Sequence, residues 1–419
     1  MKPIFNPPTG FRDLYPKDKQ IQDYLFTKLK NIANLFGFSS YDGPILEDIN
    51  IYLNKTSAEL LERQTFAVKT KDERLIMRPE MTPTLARMIA NKANQLNFPL
   101  KLFNLGLRFR YESPQKGRAR EFYQADFDII GANSLLADAE IINVAVSIFK
   151  DLGAKTNDFV VYLNSRKEME KDLNQLGFRP DQFPAIFNLI DKKDKLSPTN
   201  FNQIFSSIEK NQKKINKLLD LLANNQKNNS DYFKKLFYIL EKLGISQYCQ
   251  INYQIVRGLD YYTGLVFEIW EPEKKIRRAL LGGGRYDNLI SQFNPTKKIT
   301  GVGFATSDII LLEFLKTKNL LPPTTSSTPK VLVTIFNPQL IDQSLTVLSS
   351  LRKAGIAADI FLEEKKLDKQ LKYADKNEIR YVIIIGPEEA EKKIIKLKDL
   401  KTGAQKEVDL EELLKILYL

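Results

Sequence analysis

Apolar positions along the chain follow two rhythms, and each change of rhythm falls at a Pro, Gly or polar cluster. From Pro16, residues Ile21, Tyr24, Leu25, Leu29, Ile32 and Leu35 recur every three or four positions, which predicts an amphipathic helix ended by Gly37. "SSYDGPILE" then turns and becomes extended, and "RLIMRPEMTPTLARMIANKA" reads as a strand, a Pro-marked turn and a helix beginning near Thr82. "LKLFNLGLRFRYES" and "EFYQADFDIIG" are apolar strands around the basic loop "PQKGRAR", which predicts a long antiparallel hairpin. A helix over 137–152 and a strand in "DFVVYLNS" follow.

Between about 166 and 250 the chain becomes Lys/Asn/Gln-rich with helical periodicity, 15 basic residues against 10 acidic, and reads as a helical insertion on a sheet domain. Strand runs return in "INYQIVRGLDYYTGLVFEIW" and "RALLGGGRYDNLI", then "ITGVGFATSDIILLEFLK". "LPPTTSSTP" has linker composition. Beyond it, "KVLVTIF", a helix over 338–353, "AADIFL", a polar helix and "RYVIIIG" alternate β and α, which predicts a small α/β domain with a mostly parallel sheet. The expected domains are therefore 1–325, carrying the insertion, and 329–419.

Composition narrows the chemistry. The chain has 419 residues, 43% apolar and 27% charged, and no apolar run long enough to span a membrane. Its start shows no secretory signal, and one cysteine, Cys249, cannot form an intrachain disulfide; a reducing, cytoplasmic setting is expected. The net charge of +12 suggests a polyanionic partner. Because 330–419 holds 16 basic and 15 acidic residues, the excess lies upstream. The chain contains no histidine at all, which removes Ser-His-Asp and Cys-His nucleophile pairs and imidazole-based zinc sites. Catalysis must run on arginines, carboxylates, phenols, backbone groups or a bound metal.

No P-loop and no dinucleotide-binding glycine motif occurs, and the glycines at 282–284 lack a following lysine. Phosphate reading would therefore fall to guanidinium forks. Arg108, Arg110, Arg118 and Arg120 cluster on the hairpin, and Arg108, Arg110 and Glu112 share a face if the strand continues. A solvated hairpin would carry the same charges. Glu80 and Thr82 sit at a strand-to-helix turn, and Gln124 and Asp128, four apart on a strand, point the same way; such groups can hold an amino group, or serve only as caps and edge-strand polar residues. "VRGLDYYTGLVFE" places Arg257, Asp260, Tyr261 and Tyr262 at the entrance of an otherwise strand-like run, which a salt-bridged turn would also explain.

Taken together these segments resemble a known family. "LRFRYESPQKGRAREFYQADFDIIG" is similar to motif 2 of the class II aminoacyl-tRNA synthetases in the form used by histidyl-tRNA synthetases, and "VRGLDYYTGLVFE" resembles the peptide particular to that enzyme. "PPTGFRDLYP", "MRPEMTPTLAR" and "GGGRYDNL" match flanking segments, and the last ninety residues resemble the family's anticodon-binding domain. The resemblance implies an α+β class II fold, with a largely antiparallel sheet, flanking helices and a helical insertion, followed by the α/β anticodon-binding domain. It implies ATP as substrate with Mg2+, L-histidine and tRNA(His) as partners, no metal-ligating side chains, and a homodimer built on the N-terminal helix and the strand through Pro44. It assigns Arg257 and Arg110 to the reacting carboxylate and α-phosphate; Glu80, Thr82 and Gln124 to the α-amino group; Asp128, Tyr262 and Tyr286 to the imidazole; and Tyr261 and Met81 to the pocket wall. Glu112 and Arg118 would meet ATP beside Gly301 and Gly303, and Gln115, Lys116 and Arg120 would approach the tRNA acceptor end.

One feature departs from that pattern. Ile310 stands where the third class II motif carries an arginine, and Asp308 also differs. Arg118, Arg277 or Arg285 would then serve the nucleotide. The competing reading is a histidine-binding regulatory subunit of ATP phosphoribosyltransferase without aminoacylation activity. Such subunits typically lack the C-terminal domain and the signature arginine, and this chain retains both.

Overall fold

A computed structural model describes residues 5–53, 64–70, 74–193, 196–223, 230–257, 261–323 and 330–418. The chain divides into two compact units, Met1–Pro322 and Pro323–Leu419.

The first unit is organised by an eight-stranded sheet of Ser39–Ser40 (β1), Leu100–Phe109 (β5), Glu121–Ile130 (β6), Gly301–Ser307 (β11), Leu281–Arg285 (β10), Leu265–Trp270 (β9), Val160–Ser165 (β7) and Cys249–Ile251 (β8), in that spatial order. The pairings β1/β5 and β7/β8 at its two edges are parallel and the rest antiparallel. A smaller sheet pairs Leu46–Asp48 (β2), Arg74–Met77 (β4) and Phe66–Lys69 (β3). Alternation along β6 explains its place. Ala125, Phe127 and Ile129 are buried in the main core, where Phe127 stacks on Phe304 at 5.0 Å, while Gln124, Asp126 and Asp128 occupy the opposite face. The helices Pro16–Leu35 and Leu135–Asp151 cover the apolar face.

The block expected as one insertion divides in two. Helices Arg166–Gln175, Phe183–Asp191, Pro198–Ile208 and Gln212–Ala223 enclose their own core, including Ile186, Phe205 and Leu218, which also takes in Tyr253 and Val256. The next helix, Asp231–Lys242, instead buries Phe233, Leu236 and Leu240 in the main core. Among the described residues, the strand expected over 251–270 appears only at Ile251, the end of Cys249–Ile251, and at Leu265–Trp270. Arg257 between them has φ +51°, a left-handed conformation that no strand accommodates. Gly258, Leu259 and Asp260 lie outside the described residues, as does most of the linker at 324–329.

The C-terminal unit contains a five-stranded sheet in the order Ala358–Ile360 (β13), Val331–Val333 (β12), Tyr381–Ile384 (β14), Ile395–Asp399 (β15), Gln405–Val408 (β16). The pairings β12/β13 and β12/β14 are parallel and β14/β15 and β15/β16 antiparallel, so the sheet is mixed rather than mostly parallel. The additional hairpin was hidden because "IKLKD" and "QKEV" are Lys-rich and half exposed.

Candidate active site

The polar face of β6 forms one wall of a cleft of about 650 Å3. Asp126, which the sequence reading passed over, is the pivot of that face. Its carboxylate takes a hydrogen bond from Arg108 Nη2 at 2.7 Å and another from Gln124 Nε2 at 2.7 Å. Arg108 is fully buried and also donates to Asn104 Oδ1 at 2.6 Å. It is therefore a structural counter-ion under the cleft, not one of a row of phosphate readers. The strand ends at Phe109, yet the Arg110 amide still donates to the Arg120 carbonyl at 2.9 Å, its Nη2 lies 3.5 Å from Gln124 Oε1, and Arg110 and Glu112 both line the cleft above Arg108. Asp126 was legible as the middle member of the Gln124, Asp126, Asp128 row.

Asp128 lies at the inner end. It is 3% exposed and accepts a short hydrogen bond from the Tyr286 hydroxyl. Burial, then the neighbouring Asp126 charge, pushes its carboxyl up to about 8, against the opposing effects of Tyr286 and Arg108. Gly303 pairs with it across the ladder, and a Cβ there would collide with the Asp128 carboxylate. Gly301 does not line the cleft; a side chain there would strike the Tyr286 ring. These glycines make room for neighbouring side chains.

Glu80 and Thr82 reach the cleft from the turn into the helix Thr82–Lys92. Tyr261 donates to Glu80 Oε2 at 3.3 Å, and Tyr52 to the Glu80 carbonyl at 3.3 Å. Met81 does not line the cleft. It is fully buried behind it, its sulfur facing Arg78 Nη1 at 3.7 Å. Tyr261 and Tyr262 are buried neighbours, 4.9 Å between ring centres, and both face the cleft.

Arg257 lies along the β9–β10 floor of the cleft. Its guanidinium is 5.8 Å from the Tyr262 ring centre and its Nη1 is 3.7 Å from Glu268 Oε1, too far for a hydrogen bond. Nη1 is buried with no hydrogen-bond partner among the described residues. Burial disfavours the charged form, yet Tyr262 and Glu268 outweigh it and hold the pKa above the usual arginine value. The side chain fits there because residue 282, opposite Glu268 in the ladder, is glycine; a Cβ would occupy the guanidinium's space. The segment is pinned from the insertion: Arg166 donates to the carbonyls of Arg257 at 2.9 Å and Tyr262 at 3.2 Å. Nothing in the local sequence marked Arg166, since its partners lie about ninety residues away.

The outer end of the cleft is basic. Arg110 donates to the Pro79 carbonyl at 2.9 Å and lies 5.3 Å from the Phe122 ring centre, and Arg118 pairs with Glu112 at 3.0 Å. Arg277 and Arg278 also line it. Arg285 does not: it is buried behind the sheet, with Nη2 2.6 Å from Asp138 Oδ1, and cannot serve a ligand here. Replacing Arg285 with alanine would strand a buried carboxyl and is expected to lower stability by about 3–5 kcal/mol. Denaturant unfolding checks this, with substrate KM values unchanged in the folded fraction. Asp308 accepts from Arg12 Nη2 at 2.8 Å, Gln22 Nε2 at 3.2 Å and the Tyr123 amide at 3.1 Å, so it ties the N-terminal segment to β6. On the hairpin loop, Lys116 pairs with Glu313 at 2.6 Å while remaining exposed, and Gln115 bridges Arg118. Arg120 stacks on Tyr111 at 3.9 Å and donates to the Thr9 carbonyl, so it is already engaged within the chain.

Such a cleft can bind a zwitterion at one end and a polyanion at the other, with a buried guanidinium between. Cys249 offers no alternative nucleophile, since burial pushes its thiol up to about 12. Among the described residues no cluster of three His, Cys, Asp or Glu groups could hold a metal, and no helix is long and apolar enough to cross a membrane.

Comparison with known proteins adds the following. Residues 10–308 match the family model described as histidyl-tRNA synthetase, and 330–418 match the anticodon binding domain. A histidine-tRNA ligase of Leptospira biflexa is 34% identical over 413 residues, covering 94% of this chain and 93% of the relative. The chloroplastic/mitochondrial histidine-tRNA ligase of Arabidopsis thaliana is 32% identical, covering 97% and 86%. The crystal structure of histidyl-tRNA synthetase from Nostoc sp. PCC 7120 superposes with a TM-score of 0.80 at 25% identity, covering 100% of this chain and 99% of that one.

Proposed function

Because the chain belongs to the histidyl-tRNA synthetase family, we infer that the cleft on β6 and β9–β11 is where its reaction takes place. The activity is histidine aminoacylation: L-histidine is activated with ATP to histidyl-adenylate and transferred to the 3′ end of tRNA(His). The observation that carries the site assignment is the buried Nη1 of Arg257, which has no hydrogen-bond partner among the described residues, on the floor of the cleft.

In the first step a histidine carboxylate oxygen bonds to the α-phosphorus of ATP as the bond to the bridging oxygen breaks and pyrophosphate leaves. Two anions must approach one another. A guanidinium fixed between them lowers that repulsion and stabilises the charge that grows on phosphorus, without reorganising at the moment of reaction. Arg257 fills this role, with Arg110 on the phosphate side. Glu80, Thr82 and Gln124 receive the α-amino group, and Asp128 with Tyr286 and Tyr262 receives the imidazole. An apolar amino acid would leave those buried polar groups unpaired, which supplies selectivity. Glu112 and Arg118 face the nucleotide. Mg2+ would arrive on the ATP phosphates, with phosphate and water oxygens filling most of its shell. In the second step the terminal ribose hydroxyl attacks the acyl carbon, AMP leaves, and a phosphate oxygen takes the proton.

Residues 330–418 would read the tRNA anticodon. The assembly would be a cytoplasmic homodimer through the N-terminal helix and the segment through Pro44, which is not a strand but joins β1 to β2, covering the exposed Leu35, Ile45 and Leu46.

Histidine-dependent exchange of pyrophosphate into ATP tests the site. Glu80→Ala is expected to raise the KM for histidine by about ten- to a hundredfold, the cost of a lost charge-assisted hydrogen bond, and to leave the KM for ATP nearly unchanged. Equal effects on both would remove Glu80 from the amino-group site.

A further inference from the structure

We propose that Arg278 grips the outer phosphates of the nucleotide, supplying from the segment before β10 the cation that position 310 lacks. The inference rests on the reading of this cleft as the ATP site.

Ile310 lies in the first turn of the helix Asp308–Thr317, is 3% exposed, and belongs to the main core while its edge lines the cleft. Arg278 approaches it from across the hairpin loop. A Cβ built on Gly117, in the hairpin loop, would lie 3.1 Å from Ile310 Cδ1 and 3.5 Å from Arg278 Cδ. The arginine stem therefore passes close to the tip of Ile310. Its Nη1 donates to the Gly117 carbonyl at 2.7 Å, which fixes the fork against the loop bearing Arg118.

The charges at this end do not balance. Arg110, Arg118 and Arg278 converge with Glu112 as the facing carboxylate, and Glu112 is already paired with Arg118. Arg278 has no acidic ion-pair partner among the described residues. Burial, then the Arg118 charge, pulls its pKa down to about 10; Arg110 acts in the same direction and Glu112 against it. Three half-buried cations facing one carboxylate repel one another, and a phosphate chain relieves that cost. Guanidinium forks fit phosphate oxygens two at a time. The neighbouring Arg277 also lines the cleft but is more exposed, so its contribution would be screened.

The test compares the wild-type protein with Arg278→Met, which keeps the stem, and Arg278→Lys, which keeps the charge. Calorimetry with inorganic pyrophosphate, ATP and adenosine reads the phosphate grip directly. Arg278→Met is expected to weaken pyrophosphate and ATP binding by about tenfold or more, the cost of a lost charge-assisted contact, with adenosine binding, the KM for histidine and the melting temperature nearly unchanged. Arg278→Lys should recover part of the loss. Unaltered pyrophosphate and ATP binding in Arg278→Met overturns the assignment, and so does an equal loss for adenosine, which would mark a structural role. Absence of histidine-dependent exchange in the wild-type protein would defeat the reading of the cleft as the activation site, while the pyrophosphate comparison would still decide on Arg278.

Discussion

Arg257→Ala is expected to lower the rate of histidine-dependent pyrophosphate exchange by about 10^2–10^3-fold, the range found when one preorganised charge donor is removed from a reacting oxyanion. The loss should fall on kcat, because the carboxylate and α-phosphate meet most strongly in the transition state. The melting temperature should change little. Nη1 makes no hydrogen bond among the described residues, and Glu268, whose pKa burial already raises, keeps the hydrogen bond from Trp270 Nε1 at 2.8 Å. Gly282→Ala provides an independent approach, since its Cβ would displace the guanidinium without altering Arg257 itself. Single-turnover adenylate formation at wild-type rates in either variant would remove Arg257 from the reaction.

Asp128→Asn is expected to separate stability from selection. The Asp128 carboxyl rises from 3.8 to about 8 in the fold, because of burial and then Asp126. Folding therefore takes up a proton at every pH between those two values, and this group's contribution to stability declines as pH rises from about 4, reaching its full cost above about 8. At about 1.4 kcal/mol per unit, the upper bound on that cost is about 6 kcal/mol for the shift from 3.8 to about 8. Asparagine does not titrate. The variant should melt several degrees above wild type at pH 9, with the difference vanishing near pH 4. At pH 9, where the wild-type carboxyl is ionised, the variant's KM for histidine should be higher by about ten- to a hundredfold, since the amide cannot supply a charge-assisted acceptor to the imidazole. Melting curves that stay parallel across the pH range would contradict the protonated state of Asp128, and an unchanged KM would contradict its place against the ring.

The split insertion shows how local rhythm can mislead about packing. Helix Asp231–Lys242 has the same amphipathic character as the helices before it, yet Phe233 and Leu240 enter the main core whereas Phe205 and Leu218 enter a separate one. Periodicity reveals which face is buried but carries no information about what buries it. The four arginines of the hairpin show the same limit. Arg108, Arg110, Arg118 and Arg120 are alike in sequence, but they become a buried counter-ion, a cleft residue, a partner of Glu112 and a stacked surface fork. What separates them is the partner each meets across the fold.

By itself, the sequence determined the order of the main helices and strands, the polar face of β6, the absence of imidazole chemistry and the row of residues that belongs to the family, because these follow from backbone periodicity and side-chain type. Tertiary structure alone decided that Arg285 is tied to Asp138, 147 residues away, that Asp308 anchors the N-terminal segment, and that Arg278 and Ile310 both approach Gly117. The reason is physical: the energy of a buried charge depends on its neighbours within a few ångströms, and those neighbours come from chain segments that no local pattern connects.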